Sequence, residues 1–458
     1  MILWAAVLGA AVAQANVRVD AGVTTTHRTG QFARALPVNA DRPNGNGLAY
    51  EGEVVPSVSL DVTGKTQRFT LTYSARAFYR WVEEGILLDR PGFWQRGLAN
   101  YALDISSRTT WTSSLLVSGG EIPIAQLLQP AEPGTGPDPD DDLLGGGVVP
   151  DDPFLLDFIV GGSTGLAVGF DERNSASFDA SIRYRDPGIV EGGDQPEDFQ
   201  FSQVTRFRLG GRYGFRWDRR NQFLFDTRFR AFWVSGGNEL AESSSQVITV
   251  SSGWAHQLSR NLTSELLAGA QVVFQQTPEE DLAGVQNRAE REELQALPFA
   301  SARLTLRRAP SGSFSWQGSL LARLDGQLNQ VLGRFIPAIS LVSGLSATFV
   351  DWTGSISASF QTTLDGPFAF DGSDAAGEDD PTLFSDVQTS IGGTAELSYA
   401  PSPLWRLFTR FRAQALTYHL SIVTDPATET PFPNLEITGL LGLEVRWSSV
   451  PPRAMQGG

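Results

Sequence analysis

One stretch of the chain limits its fold more than any other. From Arg206 to Trp217, Phe207, Leu209, Gly211, Tyr213, Phe215 and Trp217 alternate with Arg206, Arg208, Gly210, Arg212, Gly214 and Arg216. A period of two is that of a β-strand, whose successive side chains point to opposite faces. A soluble sheet has no reason to bury one of these faces and line up four arginines on the other. A transmembrane barrel has one: its apolar face meets lipid and its polar face meets a wet lumen. The same alternation runs from Arg68 to Trp81, from Gln222 to Val234, and through Leu441, Leu443, Val445 and Trp447 against Glu444 and Arg446.

The segments between strands fall into two alternating classes. Short turns read Thr63-Gly64-Lys65, Ser106-Ser107-Arg108, Asp171-Glu172-Arg173-Asn174, Asp218-Arg219-Arg220-Asn221 and Ser259-Arg260-Asn261, then Ala309-Pro310-Ser311-Gly312, Val350-Asp351-Trp352 and Pro401-Ser402-Pro403. Between them lie longer segments rich in Gly, Pro and Asp, the longest from about Gly119 to Pro153 with Asp138–Asp142 inside it. Short turns at one end and long loops at the other are the mark of outer-membrane barrels, with the turns periplasmic. The expected fold is therefore all-β: an antiparallel up-and-down transmembrane barrel of about 18 strands, about 16 being the alternative. The least defined strands are Asn16–Thr26, Leu155–Phe170 and Gly354–Leu364, where side chains are small.

Composition fits this reading. Mean hydropathy is −0.13 and 41% of residues are hydrophobic, values that alternation in a barrel hides within a soluble-looking average. Cysteine is absent, which excludes a small disulfide-stapled scaffold. The net charge of −16 argues against a general nucleic-acid binder. Residues 1–15 form an apolar run ending Ala13-Gln14-Ala15, read as a secretory signal peptide cut before Asn16. The barrel is expected over residues 16–448, and 449–458, with Pro451-Pro452, as a disordered periplasmic tail. Strands begin almost at the mature N-terminus, so no plug domain is expected.

Tryptophan supports the same layout. Trp111, Trp217, Trp254, Trp316, Trp352, Trp405 and Trp447 fall beside short turns or the C-terminal strand end, and Trp81 and Trp233 where strands meet long loops. They are expected to form girdles at the membrane interfaces, in contact with outer-membrane lipid. Leu441, Leu443, Val445 and Trp447 look like the terminal-strand signal read by the barrel assembly machinery, although Ser448 to Gly458 follow it.

Charge separates by face. Basic residues are almost all arginine, with Lys65 the sole lysine. Expected lumen-lining arginines are Arg68, Arg76, Arg80, Arg183, Arg185, Arg206, Arg208, Arg212, Arg216, Arg228, Arg230, Arg303, Arg307, Arg323, Arg406, Arg410 and Arg412. Inward acids, such as Asp61, Asp104, Asp179, Asp226, Glu265, Asp325, Glu396 and Glu444, are fewer, and the rest collect in the long loops. Arginine rings favour anions; arginine–acid ladders that stiffen the wall are the competing reading. No catalytic site, cofactor or metal is expected. His27, His256 and His419 have no evident nucleophile partner, His256 sharing the lipid-facing register of Trp254. The acidic runs Asp138–Asp142 and Glu378-Asp379-Asp380 read as solvated loop charge.

The layout resembles the 18-stranded polysaccharide-export porins of myxobacteria, the Wzp type. The resemblance lies in strand count, signal peptide, arginine in place of lysine, and a barrel without appended helical repeats. It is also carried by Leu88-Asp89-Arg90-Pro91, Gly97–Ser106, and Trp111–Ile122 with Gly119-Gly120-Glu121. It implies a conduit for polysaccharide export, served by a separate periplasmic polysaccharide-export protein. A diffusion porin for small anions, and a structural or adhesive barrel with an occluded lumen, are the alternatives.

Overall fold

The structure is a computed structural model. It describes residues 16–31, 48–82, 90–123, 154–189, 203–235, 243–277, 291–311, 314–329, 334–363, 388–418 and 432–448. The signal-peptide segment, the C-terminal tail and both acidic runs lie outside the described residues.

Eighteen strands run in chain order: β1 Asn16–Gln31, β2 Leu48–Thr63, β3 Gln67–Val82, β4 Arg90–Ser106, β5 Thr109–Pro123, β6 Phe154–Gly169, β7 Asn174–Ile189, β8 Gln203–Arg216 and β9 Asn221–Ser235. They continue as β10 Ser243–Gln257, β11 Leu262–Thr277, β12 Arg291–Ser311, β13 Phe314–Asn329, β14 Arg334–Phe349, β15 Trp352–Thr363, β16 Gln388–Ser402, β17 Trp405–Tyr418 and β18 Phe432–Ser448. Every strand pairs antiparallel with its neighbours in sequence, and β1 pairs with β18, which closes the barrel. Closure gives every strand a neighbour on both sides and satisfies most of the backbone within the wall, the condition for a sheet that spans lipid. The strand count is 18, and the three strands least defined in the sequence form β1, β6 and β15, each paired on both sides. Strands run from 12 residues in β15 to 21 in β12, several of them longer than the alternation alone marked out.

The short turns sit together at one rim, along with the first residues of β1 and the last of β18. Their chemistry is visible in the sequence. Asp171 Oδ1 accepts the backbone N–H groups of Arg173 and Asn174, both at 2.6 Å, and Asn174 Nδ2 donates to Asp171 Oδ2 at 2.7 Å. Asp218 and Asn221 repeat this set at 2.6, 2.8 and 2.6 Å. Ser106, Ser259 and Ser402 hydroxyls accept turn N–H groups in the same way. These are side-chain-to-backbone turns, for which Asp and Ser are suited. Two turns are tighter than expected. β12 continues through Ala309 and Pro310 to pair Ser311 with Phe314 after an irregularity, and β16 continues to pair Ser402 with Trp405. Residues 312–313 lie outside the described residues.

The outer surface is an apolar belt. Leu71, Tyr73, Leu115, Val117, Phe178, Ile182, Leu209, Phe225, Ile248, Leu266, Ile356 and Phe411 are all exposed. So large an exposed apolar surface on a closed barrel is a surface made for lipid.

Candidate functional site

The bore is lined by the other set of alternating side chains. On β8, Arg206, Arg208 and Arg212 face inward, opposite exposed Leu209 and Tyr213. Arg76 on β3, Arg183 and Arg185 on β7, Arg228 and Arg230 on β9, Arg303 and Arg307 on β12, and Arg406, Arg410 and Arg412 on β17 occupy the same face by register. So do Arg68 and Arg216, close to the turn rim. The side chains of Arg80 and Trp81 lie outside the described residues.

Many of these arginines meet acids. Arg76 pairs with Glu53 at 2.7 Å, Arg208 with Asp179 at 3.4 Å and Arg228 with Asp226 at 2.9 Å. On β16–β18 one carboxylate serves two cations. Glu396 takes Arg406 at 2.5 Å and Arg410 at 2.8 Å. Glu444 takes Arg446 at 2.6 Å and Arg406 at 4.0 Å. Among the described residues, Arg68, Arg216, Arg303 and Arg307 make no ion pair.

The bore is not evenly filled. Inward side chains of β14–β18 and β1–β7 are mostly half-exposed, whereas those in the loop-side halves of β9–β13 are mostly packed. Val204, Phe232, Val234, Val247, Val273 and Leu297 form one buried cluster on the inner face, and Leu224, Leu267 and Phe299 a second. The wall is creased between β10 and β11. A Cβ at Gly253 would collide with the backbone oxygen of Leu266, and one at Gly269 with that of Val250. Only glycine fits two strands brought so close on their concave side. Two ion pairs bridge the fold. Arg212 on β8 meets Glu265 on β11 at 2.6 Å, and Arg230 on β9 meets Asp325 on β13 at 2.9 Å.

Asp325 is the centre of the packed half. It also meets Arg323 and the amide of Gln271. Gln271 is fully buried; its Nε2 donates to Thr249 Oγ1 at 3.0 Å and its Oε1 accepts the Gly326 backbone N–H at 2.8 Å. Arg323 and Arg228 each lie about 6 Å from the Phe299 ring centroid, at 5.8 and 6.0 Å, which places both guanidiniums within cation–π reach. The local sequence does not show this packed wedge. Its residues come from five strands whose apposition depends on the crease, and the run Ala231-Phe232-Trp233-Val234 hides which of its members face inward.

The tryptophans near the turn rim point outward. Trp217 is 71% exposed; Trp254, Trp352, Trp405 and Trp447 are also exposed, while Trp111 and Trp316 are half-buried on the same side. Trp111 Nε1 donates to Thr164 Oγ1 at 2.7 Å and Trp254 Nε1 to Asn221 Oδ1 at 3.0 Å, so each ring is fixed to the wall. Trp352, Tyr399 and Trp405 form a continuous aromatic run, with centroids 4.6 and 6.0 Å apart. Trp233 faces outward near the opposite rim, and His256 packs edge-on against Trp254 on the outer face.

A closed 18-strand antiparallel barrel with an apolar belt outside and a charged bore inside defines the class: a bacterial outer-membrane β-barrel. No protein-family model matches the chain, and neither does any curated protein sequence. Among solved structures it is similar to OccAB3 of Acinetobacter baumannii, with 8% identity, 94% of this chain and 99% of that one covered, and a TM-score of 0.39. It is also similar to the ferric citrate transporter FecA (9% identity, 94% and 79% covered, TM-score 0.47) and to a bacterial polysaccharide outer membrane secretin (10% identity, 93% and 98% covered, TM-score 0.30). The assignment to the class stands on the strand pairing and the apolar belt.

Proposed function

We propose that this barrel is a passive outer-membrane conduit for an anionic solute, and that the solute is an acidic polysaccharide on its way out of the cell. The observation that carries the reading is the sharing of acids on the open side of the bore. Glu396 and Glu444 together meet three guanidiniums, Arg406 being common to both, so this patch keeps one positive charge in excess where the bore is least filled. A lined channel focuses that field along its length. The charges are spread along the strands rather than gathered at one level: Arg406, Arg410 and Arg412 climb β17, and Arg206, Arg208, Arg212 and Arg216 climb β8. A polymer can meet such a track at many points in turn, whereas a small ion needs only one constriction. A barrel of this strand number has room for a hydrated path beside the packed wedge.

The test is blockade of single-channel current by oligosaccharides of matched length. An oligogalacturonate is expected to block at concentrations at least about tenfold lower than a neutral maltooligosaccharide, a gap of about 1.4 kcal/mol. Equal blockade by both would remove the polymer track and leave a small-anion porin.

A further inference from the structure

The wall has a seam. β12 stays paired with β11 as far as Arg291, and β13 stays paired with β14 as far as Asn329. Their pairing with each other stops at Ala300↔Leu324. One residue weakens the rungs beyond it. Continuing the register would set Pro298 opposite Gly326, and proline has no N–H to offer a ladder. The Gly326 N–H turns instead to the Gln271 side chain on β11, two strands away, and the neighbouring Asp325 turns to Arg230 on β9. Ala338, paired with Asp325 from β14, is buried with it. The far end of the β13–β14 hairpin thus leans over the inner face of β9–β11 instead of continuing the wall.

We propose that this end of β13–β14 is a hinged section of wall that sets the width of the bore, latched inward by Asp325 and Gln271 and free to zip onto β12 when the latch is broken. The hinge is the last paired rung, Ala300↔Leu324. Latched, the section covers Gln271 and Thr249 and occludes one side of the lumen. Zipped, Phe299 would face Asp325 across the ladder, and the bore would gain the width the section now occupies. The consequence for flow rests on the conduit reading; the position of the section does not.

The chain has no cysteine, so Ala296→Cys with Leu328→Cys, the next rung of the continued register on the same face, makes a unique pair that reports the seam and leaves Pro298 and Gly326 in place. In the refolded barrel with Asp325 in place, mild oxidation is expected to leave the pair uncross-linked. Adding Asp325→Ala should let it cross-link, and the cross-linked barrel should conduct at least about twice as much as wild type. Ready cross-linking with Asp325 present, or no gain on its removal, would overturn the proposal. If Asp325→Ala yields no heat-modifiable barrel, Gln271→Ala takes its place; it should raise cross-linking several-fold, and no rise would count against the hinge. A wild-type barrel that does not conduct would sink the conduit reading alone, because the cross-linking pattern still decides the hinge.

Discussion

Arg230 on β9 and Asp325 on β13 meet at 2.9 Å across the inside of the barrel, although four strand spacings, about 19 Å along the sheet, separate their strands. The wall must fold for them to touch, and the Gly253/Gly269 crease is where it does. Both groups are almost wholly buried. Removing Arg230 takes one buried partner from Asp325, which keeps Arg323 and Gln271; losing a buried charged hydrogen bond of this kind costs about 1–3 kcal/mol. Arg230→Met is therefore expected to lower the denaturation midpoint of the folded barrel sharply. The double variant Arg230→Met with Asp325→Leu should lose less than the sum of the two singles, by about 0.5–3 kcal/mol. A urea titration read by tryptophan fluorescence checks this; strict additivity would mean the pair is not coupled.

How far the sequence shows this depends on the range of the contact. The turns are local, so Asp218-Arg219-Arg220-Asn221 states its own geometry. The wall faces are local too, which is why Arg208 and Leu209 separate cleanly. The packed wedge is not local. Gln271 and Thr249 read as ordinary lumen polar residues, and nothing near them in the chain announces a carboxylate from β13. Pro298 does carry a signal, since proline inside a strand marks an edge. Which strand it frees, and what that strand then leans on, depends on a register set some 25 residues away.

The turn acids should titrate low. The Asn221 side chain, then the Arg220 and Asn221 N–H groups, hold the Asp218 carboxyl below the ordinary carboxylate value; Asn174 and its neighbours do the same for Asp171. A depressed folded pKa gives stability that is present above the unfolded value of about 3.9 and is lost as pH falls through the folded value. Carbon-13 NMR of the labelled barrel in micelles should place both midpoints below about 3.9, and Asn221→Ala should raise that of Asp218. An unmoved midpoint would mean that the turn bonds do not persist in solution.

Gly442 on β18 lies under the Phe408 ring of β17, where an added Cβ would overlap the ring. Gly442→Val is expected to displace that ring and destabilise the β17–β18 pairing by about 1–3 kcal/mol. Heat-modifiability on gels, followed against temperature, should show the loss. The companion variant Phe408→Ala with Gly442→Val should recover part of it.

The outward tryptophans should sit in the lipid interface. Brominated lipids are expected to quench the fluorescence of a barrel retaining Trp254 and Trp405. Bromine near the glycerol backbone should act more strongly than bromine deep in the acyl chain. The reverse order would displace the belt along the barrel axis.

The central claim is that the open side of the bore carries an uncompensated positive charge, and the reversal potential of single channels in a salt gradient measures it. Wild type is predicted to favour anions. Glu396→Gln, which frees Arg406 and Arg410 from their shared carboxylate, should increase that preference, and Arg410→Glu should reduce or invert it. A conducting barrel that prefers cations, or one indifferent to both substitutions, would contradict the account.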